Sequence, residues 1–374
     1  MVAITSYVRL RSERRRVATS SPGSVDTWIG NVGSSARDFT GRTIRTLSAR
    51  RVDAVVRRAL PSPAVAQSDG TILGDVGSLW RYPVKSMRGE EVARVEIGPD
   101  VGIVGDRAYG LVDVATGKVA SAKHPRKWGG LLNWRADFDA APAHGSAPPA
   151  VRITLPDGTV VRSDDANVDA ALSRALGYEV RLATSPPRQA SIEESTLRAD
   201  GTLPDELGVA PLAVGAPAGT FFDFAPVHLL TSATLARLET LHPAGRFALP
   251  RFRPNVVVRC DGADGFVEND WVGHELALGD EVRLCVTFTC PRCVMTTLPQ
   301  QDLPSDPAIL QTAARHNRVL FPLLGKAMPT VGVYATVVRG GRVQAGDRVR
   351  LLGRNTLRRT ASFLRAIKRA AVRR

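Results

Sequence analysis

Between residues 75 and 352 the apolar positions of this chain mostly alternate with polar ones or gather in short runs bounded by Gly, Pro, Asn or Asp. That is the pattern of strands joined by turns. A strand is expected at 75–80, closing on Arg81-Tyr82-Pro83, and others at 92–97, 108–112 and 151–155, the last running into the hairpin signal Pro156-Asp157-Gly158. Further strands are expected at 255–259, 274–278, 282–288, 332–338 and 347–352. Gly340-Gly341-Arg342-Val343-Gln344-Ala345-Gly346-Asp347 reads as turn, short strand, turn. The 3.6-residue period appears in few places. Residues 168–176 form a helix pattern stopped by Gly177, another helix starts at Thr231 or Ser232 in N-cap position, and 308–316 is a third. A Pro/Ala/Ser-rich stretch at 184–218 reads as a linker or long surface loop. The fold class is mainly β with some α, as β-barrel domains rather than a parallel α/β sheet.

Residues 1–74 show no sustained period and read as a mostly disordered basic extension, with a short helix over 52–60. At the other end, Phe363, Leu364, Ile367, Ala370 and Ala371 share a helical face. Arg365, Lys368, Arg369 and Arg373 lie toward the rest, making 353–374 a basic amphipathic tail.

Charge changes the picture once it is located. The chain of 374 residues carries +14. Residues 1–74 hold +7 and residues 353–374 hold +8, which leaves 75–352 at −1. A nearly neutral body argues against a basic nucleic-acid groove and places the excess on two ends suited to anionic surfaces. No apolar run is long enough to span a bilayer as a helix, and arginines interrupt the N-terminal segment where a secretory signal would be apolar. Four cysteines do not make a disulfide framework, so a reducing cytoplasm is expected, with the tail able to touch a membrane peripherally.

Chemistry concentrates at Thr289-Cys290-Pro291-Arg292-Cys293-Val294-Met295-Thr296-Thr297. A thiolate is a nucleophile and a soft metal ligand, and a neighbouring cation such as Arg292 lowers a thiol pKa. The pair Cys290 and Cys293 fits a redox dithiol, half a zinc site, part of an iron–sulfur site, one ligand beside a bystander, or two packing residues. The residues after Cys293 look strand-like rather than helical, unlike a thioredoxin-type pair, and no cysteine follows to complete an iron–sulfur spacing. Cys260 and Cys285 read as packing residues. Three cation-bearing turns stand apart in sequence: Lys85-Ser86, Asp106-Arg107 and Arg253-Pro254-Asn255. The helix start at Thr231-Ser232 adds N–H donors that favour an anion.

In this order along the chain stand Tyr82-Pro83-Val84-Lys85-Ser86, Gly105-Asp106-Arg107, Arg251-Phe252-Arg253-Pro254-Asn255, Arg292-Cys293-Val294-Met295-Thr296-Thr297 and Gly346-Asp347-Arg348-Val349. The ordered set resembles the MOSC family, named for the C-terminal domain of molybdenum cofactor sulfurase. The likeness is to its amidoxime-reducing branch, in which an N-terminal MOSC β-barrel domain precedes the MOSC domain. The resemblance spans 75–352 and implies a β-barrel-like domain at 75–190 and a MOSC domain at 191–352. It also implies a molybdenum cofactor with Cys293 as metal ligand and catalytic centre. Lys85, Ser86, Arg107, Thr231, Ser232, Arg253, Asn255, Arg292 and Tyr334 are then the cofactor-binding candidates.

The activity implied is reduction of N-hydroxylated or N-oxide small molecules with electrons from a separate ferredoxin, flavoprotein or cytochrome. The alternative is a sulfur carrier, with a persulfide on Cys293 supplied by a pyridoxal-phosphate cysteine desulfurase. A β-barrel binding protein without turnover is a third reading. One departure from the family pattern is visible: Thr296-Thr297 continues as Leu298-Pro299 where an aspartate is usual, with Asp302 the nearest substitute.

Overall fold

Seven strands close into a barrel around the alternating apolar positions. In the computed structural model, which describes residues 70–198, 200–217 and 219–354 together with two short strands nearer the N-terminus, these are β1 (Thr71–Arg81), β2 (Val227–Thr231), β3 (Val256–Arg259), β4 (His274–Leu278), β5 (Val282–Pro291), β6 (Lys326–Arg339) and β7 (Arg348–Arg354). Their spatial order is β2-β3-β1-β7-β4-β5-β6, and β6 returns to pair with β2. All pairings are antiparallel except β2 with β3, where Leu229 faces Val256. A parallel pair needs a crossover connection. It is supplied by helix α2 (Ser232–Leu241) and the single turn Leu249–Phe252.

Period two fills the barrel. Val227 and Leu229, Val256 and Val258, Leu276 and Leu278, Val282, Leu284 and Val286, and Val333 and Ala335 share one buried cluster. A barrel of this size is just wide enough for its own side chains, so the interior is core and any site lies outside it.

Residues between Val84 and Leu182 pack a second core. Strands Arg135–Phe138, Val151–Thr154 and Val160–Arg162 form one antiparallel sheet, and Gly110–Asp113 pairs with Val180–Ala183. Helix α1 (Val168–Leu176) ends at Gly177, whose φ of 72° is left-handed, as the sequence predicts. Strand β1 belongs to the seven-stranded barrel, between β3 and β7, although the sequence-based division groups it with the N-terminal domain. Two expectations are corrected. The Pro/Ala-rich stretch is not a bare linker: Ser191–Glu194 pairs with Gly208–Pro211, and Ile192 is buried with Val119 and Phe221. After Cys293 the chain leaves strand geometry for a 3-10 turn, Val294–Thr297.

In a separate unit, strands Ala36–Arg37 and Thr43–Ile44 pair antiparallel. The helix expected at 52–60 and the amphipathic tail lie outside the described residues. Helix α3 (Ala308–His316) agrees with its predicted span.

Candidate functional site

Strand β5 delivers the cysteine loop to the end of the barrel. Pro291 is its last residue, the Arg292 backbone N–H donates to Pro329 O at 2.8 Å, and Cys293 then stands as the N-cap of the 3-10 turn. The turn is held from below by a fully buried guanidinium. Arg251 Nη1 donates to Thr296 O at 3.0 Å and Leu298 O at 3.3 Å, and its Nη2 donates to Pro304 O at 2.8 Å. Such charge-assisted bonds to carbonyls fix loop shape. Sequence reasoning quoted Arg251 within a motif without assigning it this task.

The two cysteines differ. Cys290 is fully buried and Cys293 half-buried. Burial pushes the Cys290 thiol up, but Arg292, His228 and Tyr334 more than offset it and bring its pKa down to about 6. Arg292 Nη1 donates to Cys290 Sγ at 2.9 Å and Nη2 to Phe252 O at 2.9 Å. At Cys293, burial prevails over Lys123 and Arg292 and raises the thiol. The sequence places Arg292 close to both cysteines, and the structure gives its hydrogen bond to Cys290. Arg292 Nε is buried without a partner among the described residues.

Beside this loop the three cation-bearing turns meet. The Arg107 and Arg253 guanidinium carbons lie 4.5 and 4.3 Å from the centroid of the one Tyr82 ring. Arg253 Nη1 donates to Met87 O at 2.7 Å, and burial followed by repulsion from Arg107 lowers its pKa to about 10. Asp106 bonds Arg107, accepts from the Tyr82 N–H at 2.8 Å and accepts from Asn255 Nδ2 at 3.0 Å, which ties the motifs to one another. Lys85 Nζ, almost wholly buried, donates to Phe221 O at 3.0 Å and pairs with Asp223. Burial would raise the Asp223 carboxyl, but Lys123 and Lys85 hold it well below the carboxylate range. Ser86 Oγ accepts from the Ala122 N–H at 3.1 Å, which places Lys123 next to Asp223, at 3.9 Å, and within the field of Cys293. Glu194 reaches Lys123 from the rim at 3.4 Å.

Lys85, Arg107, Lys123, Arg253 and Arg292 thus face Asp106, Asp223, Glu194 and the Cys290 thiolate, five cations against four anions. A positive remainder in a desolvated cluster is suited to an anion. Backbone strain points the same way. Ser86, Arg107 and Arg253 have φ of 65°, 49° and 55°, conformations that cost free energy in a side-chain-bearing residue and gather where structure serves a site. Gly105, at φ 84°, admits the Asp106-Arg107 turn because a Cβ there would come within 2.7 Å of Phe138 and Pro142. Among the described residues no three His, Cys, Asp or Glu side chains cluster as a metal cage.

The candidates divide. Lys85, Ser86, Arg107, Arg253, Asn255, Arg292, Cys293 and, through Cys290, Tyr334 come together. Thr231 and Ser232 are occupied elsewhere. Thr231 Oγ1 caps α2 by accepting from the Thr234 N–H at 3.1 Å and donates to Glu268 at 2.7 Å, while Ser232 Oγ accepts from the Cys260 N–H. The hydroxyls at this helix start hold the chain's own Glu268 rather than joining the cation cluster. Asp302 pairs with Arg246 at the surface and does not take the place of the missing aspartate beside Cys293. Asp223 and Lys123 are missed by sequence reasoning. Asp223 is a single charge whose visible cue is its setting between Phe222 and Phe224, and Lys123 is one of three basic residues in Lys123-His124-Pro125-Arg126-Lys127 with nothing local to set it apart.

Comparison with known proteins adds a family. Residues 217–350 match the MOSC domain and residues 73–127 the MOSC N-terminal beta barrel domain. Mitochondrial amidoxime reducing component 2 of Rattus norvegicus is 26% identical over 86% of this chain and 93% of its own length. Mitochondrial amidoxime-reducing component 1 of Homo sapiens is 26% identical over 90% and 96%. Among solved structures, the YUAD protein from Bacillus subtilis aligns over 78% of this chain and 99% of its own at 12% identity, with a TM-score of 0.36.

Proposed function

Because the chain belongs to the MOSC family, with a MOSC N-terminal β-barrel domain leading into a MOSC domain, we propose that it binds a molybdenum cofactor through Cys293 and reduces N-hydroxylated or N-oxide compounds. The observation that carries this reading is the excess of cations, drawn from turns far apart in sequence, beside one half-buried thiol. The residues fit the group. Lys85, Arg107 and Arg253 would hold its phosphate and pterin edge, Asn255 and Ser86 would fix the turns that present them, and Cys293 would supply the protein's soft ligand to the metal. The buried Arg292 Nε, without a partner among the described residues, is a further donor for an anion.

When bound, the cofactor supplies a two-electron centre able to take an oxygen atom. Reduction of R–NH–OH to R–NH2 and water consumes two electrons and two protons, so a separate electron donor is required. The name of the relatives, amidoxime reducing component, supports that substrate class. Around the reacting position the chain contributes charge and shape. Lys123 places a cation next to Cys293, and Ala122, Leu132, Val294, Met295 and Leu298 pack an apolar wall against it.

The test is metal analysis and pterin extraction on the purified protein and three variants. Cys293→Ser is expected to abolish turnover and change the metal's spectroscopic signal, with Cys290→Ser keeping most of both. Arg253→Ala should lower cofactor occupancy with the fold intact, since a charge-assisted bond is worth about 1.5–3 kcal/mol. Equal losses in both cysteine variants would replace this reading with a dithiol. Metal-free protein carrying a persulfide on Cys293 would replace it with the sulfur carrier.

A further inference from the structure

Residues 307–346 contain five Lys and Arg and not one Asp or Glu, in a chain whose 75–352 segment is otherwise balanced. Within that stretch a hairpin projects: strand Arg318–Phe321 pairs with the start of β6, Arg318 opposite Pro329 and Phe321 opposite Lys326. Its outer face is apolar and basic. Leu320 is 58% and Leu324 55% exposed, Arg318 is exposed on the Leu320 face, and Lys326 is exposed at the hairpin end, opposite Phe321. Strand Arg318–Phe321 ends its sheet, so the edge is open as well.

This arm connects directly to the site. Pro329, opposite Arg318, accepts the backbone N–H of Arg292, the neighbour of Cys293. Its inner face continues as aromatic packing. Phe321 lies 5.5 Å from Phe224 between ring centroids, Phe224 lies 5.3 Å from Tyr334, and Tyr334 shares the Cys290–Arg292 cluster. Contiguous packed rings couple an electron's donor and acceptor better than a solvent gap does.

We propose that the 318–329 arm is the docking surface for a small acidic electron-transfer protein, which delivers electrons to the Cys293 centre along the Phe321–Phe224–Tyr334 packing. The proposal rests on the reductase reading above. Charge complementarity selects the partner: basic groups rimming an apolar centre meet a partner with carboxylates around an apolar patch. Two molecules of a one-electron donor are oxidised per turnover, and their two electrons with two protons convert R–NH–OH to R–NH2 and water.

The experiment compares wild type with Arg318→Glu/Lys326→Glu and with Leu320→Ser/Leu324→Ser, all at exposed positions. The probes are three purified acidic donors: a plant-type ferredoxin, a flavodoxin and a cytochrome b5. For a donor that reduces the wild type, the Kd should weaken by about tenfold in the charge-reversed variant, and by about tenfold in wild type as salt is raised. Donor-driven turnover should fall in step, with molybdenum content and dithionite-driven turnover unchanged. Unchanged Kd in both variants overturns the proposal. So does failure of all three donors to reduce a wild type that dithionite reduces, or loss of binding to phosphatidylserine vesicles with donor binding intact, which would make the arm a membrane contact. Absence of molybdenum and of dithionite-driven turnover in wild type would instead strike the reductase reading, and the Kd arm is still read on that protein.

Discussion

Around Tyr82 the buried polar groups leave positive charge over, whereas around Glu268 a single carboxyl sits among neutral hydroxyls. In the first cluster Arg107 and Arg253 repel each other across one ring, and Lys85 and Lys123 share Asp223. In the second, Thr231 and Thr234 donate to one oxygen of Glu268 at 2.7 Å each, and burial raises the carboxyl toward its neutral form. Both clusters lie against the same barrel and both contain groups that the sequence marks as anion-binding. The difference in net charge separates them. The hydroxyl cluster satisfies one Glu268 oxygen beside a helix cap and carries no excess charge, whereas the cationic one has a positive remainder suited to an anion.

The sharpest break of the comparison is to remove the anion that the cationic cluster keeps. Asp223→Ala strands the buried Lys85 ammonium without its counter-charge, and loss of one partner from a buried pair is costly. Asp223 is about one-third open to water, so the expected loss is about 2–3 kcal/mol, below the fully buried range. Denaturant unfolding of the cofactor-free protein measures it. The same variant should bind inorganic phosphate more tightly than wild type, because the positive remainder grows. A variant as stable as wild type, with no gain in phosphate affinity, would show that the two clusters are electrostatically alike.

The elements were legible where the signal is local. Helix α1 ends at Gly177 because only a left-handed C′ residue closes it there, and Thr231 announces the start of α2 by the chemistry of capping. Closure of the barrel was not legible. It sets β1 between β3 and β7, a pairing order across most of the chain that no local pattern encodes. At the site, the motifs pointed to Lys85, Arg107 and Arg253, and the structure brings them to one ring. Asp223 was invisible because its meaning is a contact with Lys85 across 138 positions. That Arg292 would lower a thiol pKa was legible, but which thiol was not. The Arg292 backbone bond to Pro329 and its guanidinium bond to Phe252 O turn the side chain onto Cys290, and both partners are remote in sequence.

That turn gives a second, smaller test on the cationic side. Cys290 titrates at about 6 in the folded protein against about 8.5 when unfolded. A depressed acid pKa means that the unfolded chain binds the proton more readily. The stabilisation is therefore complete above about pH 8.5 and is lost as the pH falls through about 6. The ultraviolet absorbance of thiolate should follow that titration and disappear in Cys290→Ser. At neutral pH the variant should lose about 2 kcal/mol, the scale of a hydrogen bond to a charged partner. A Cys290→Ser protein with the wild-type pH profile would place the low-pKa thiol elsewhere.

On the neutral side the expected effect is smallest, and its sign is reversed. Burial raises the Glu268 carboxyl, so the folded protein holds this proton more tightly than the unfolded chain. Stability then falls as the pH rises from about 4.3, the unfolded value, up to the raised native value, and is level above it. Glu268→Gln keeps a carbonyl oxygen for the Thr231 and Thr234 hydroxyls and has no proton to lose. Its stability should stay within about 1 kcal/mol of wild type at low pH, the scale of one neutral hydrogen bond. It should gain on wild type as the pH rises through that window, and cofactor content should not change. Urea unfolding at a series of pH values reads the first part and metal analysis the second. A loss of molybdenum in Glu268→Gln would join the two clusters into one site and remove the distinction drawn from their charge.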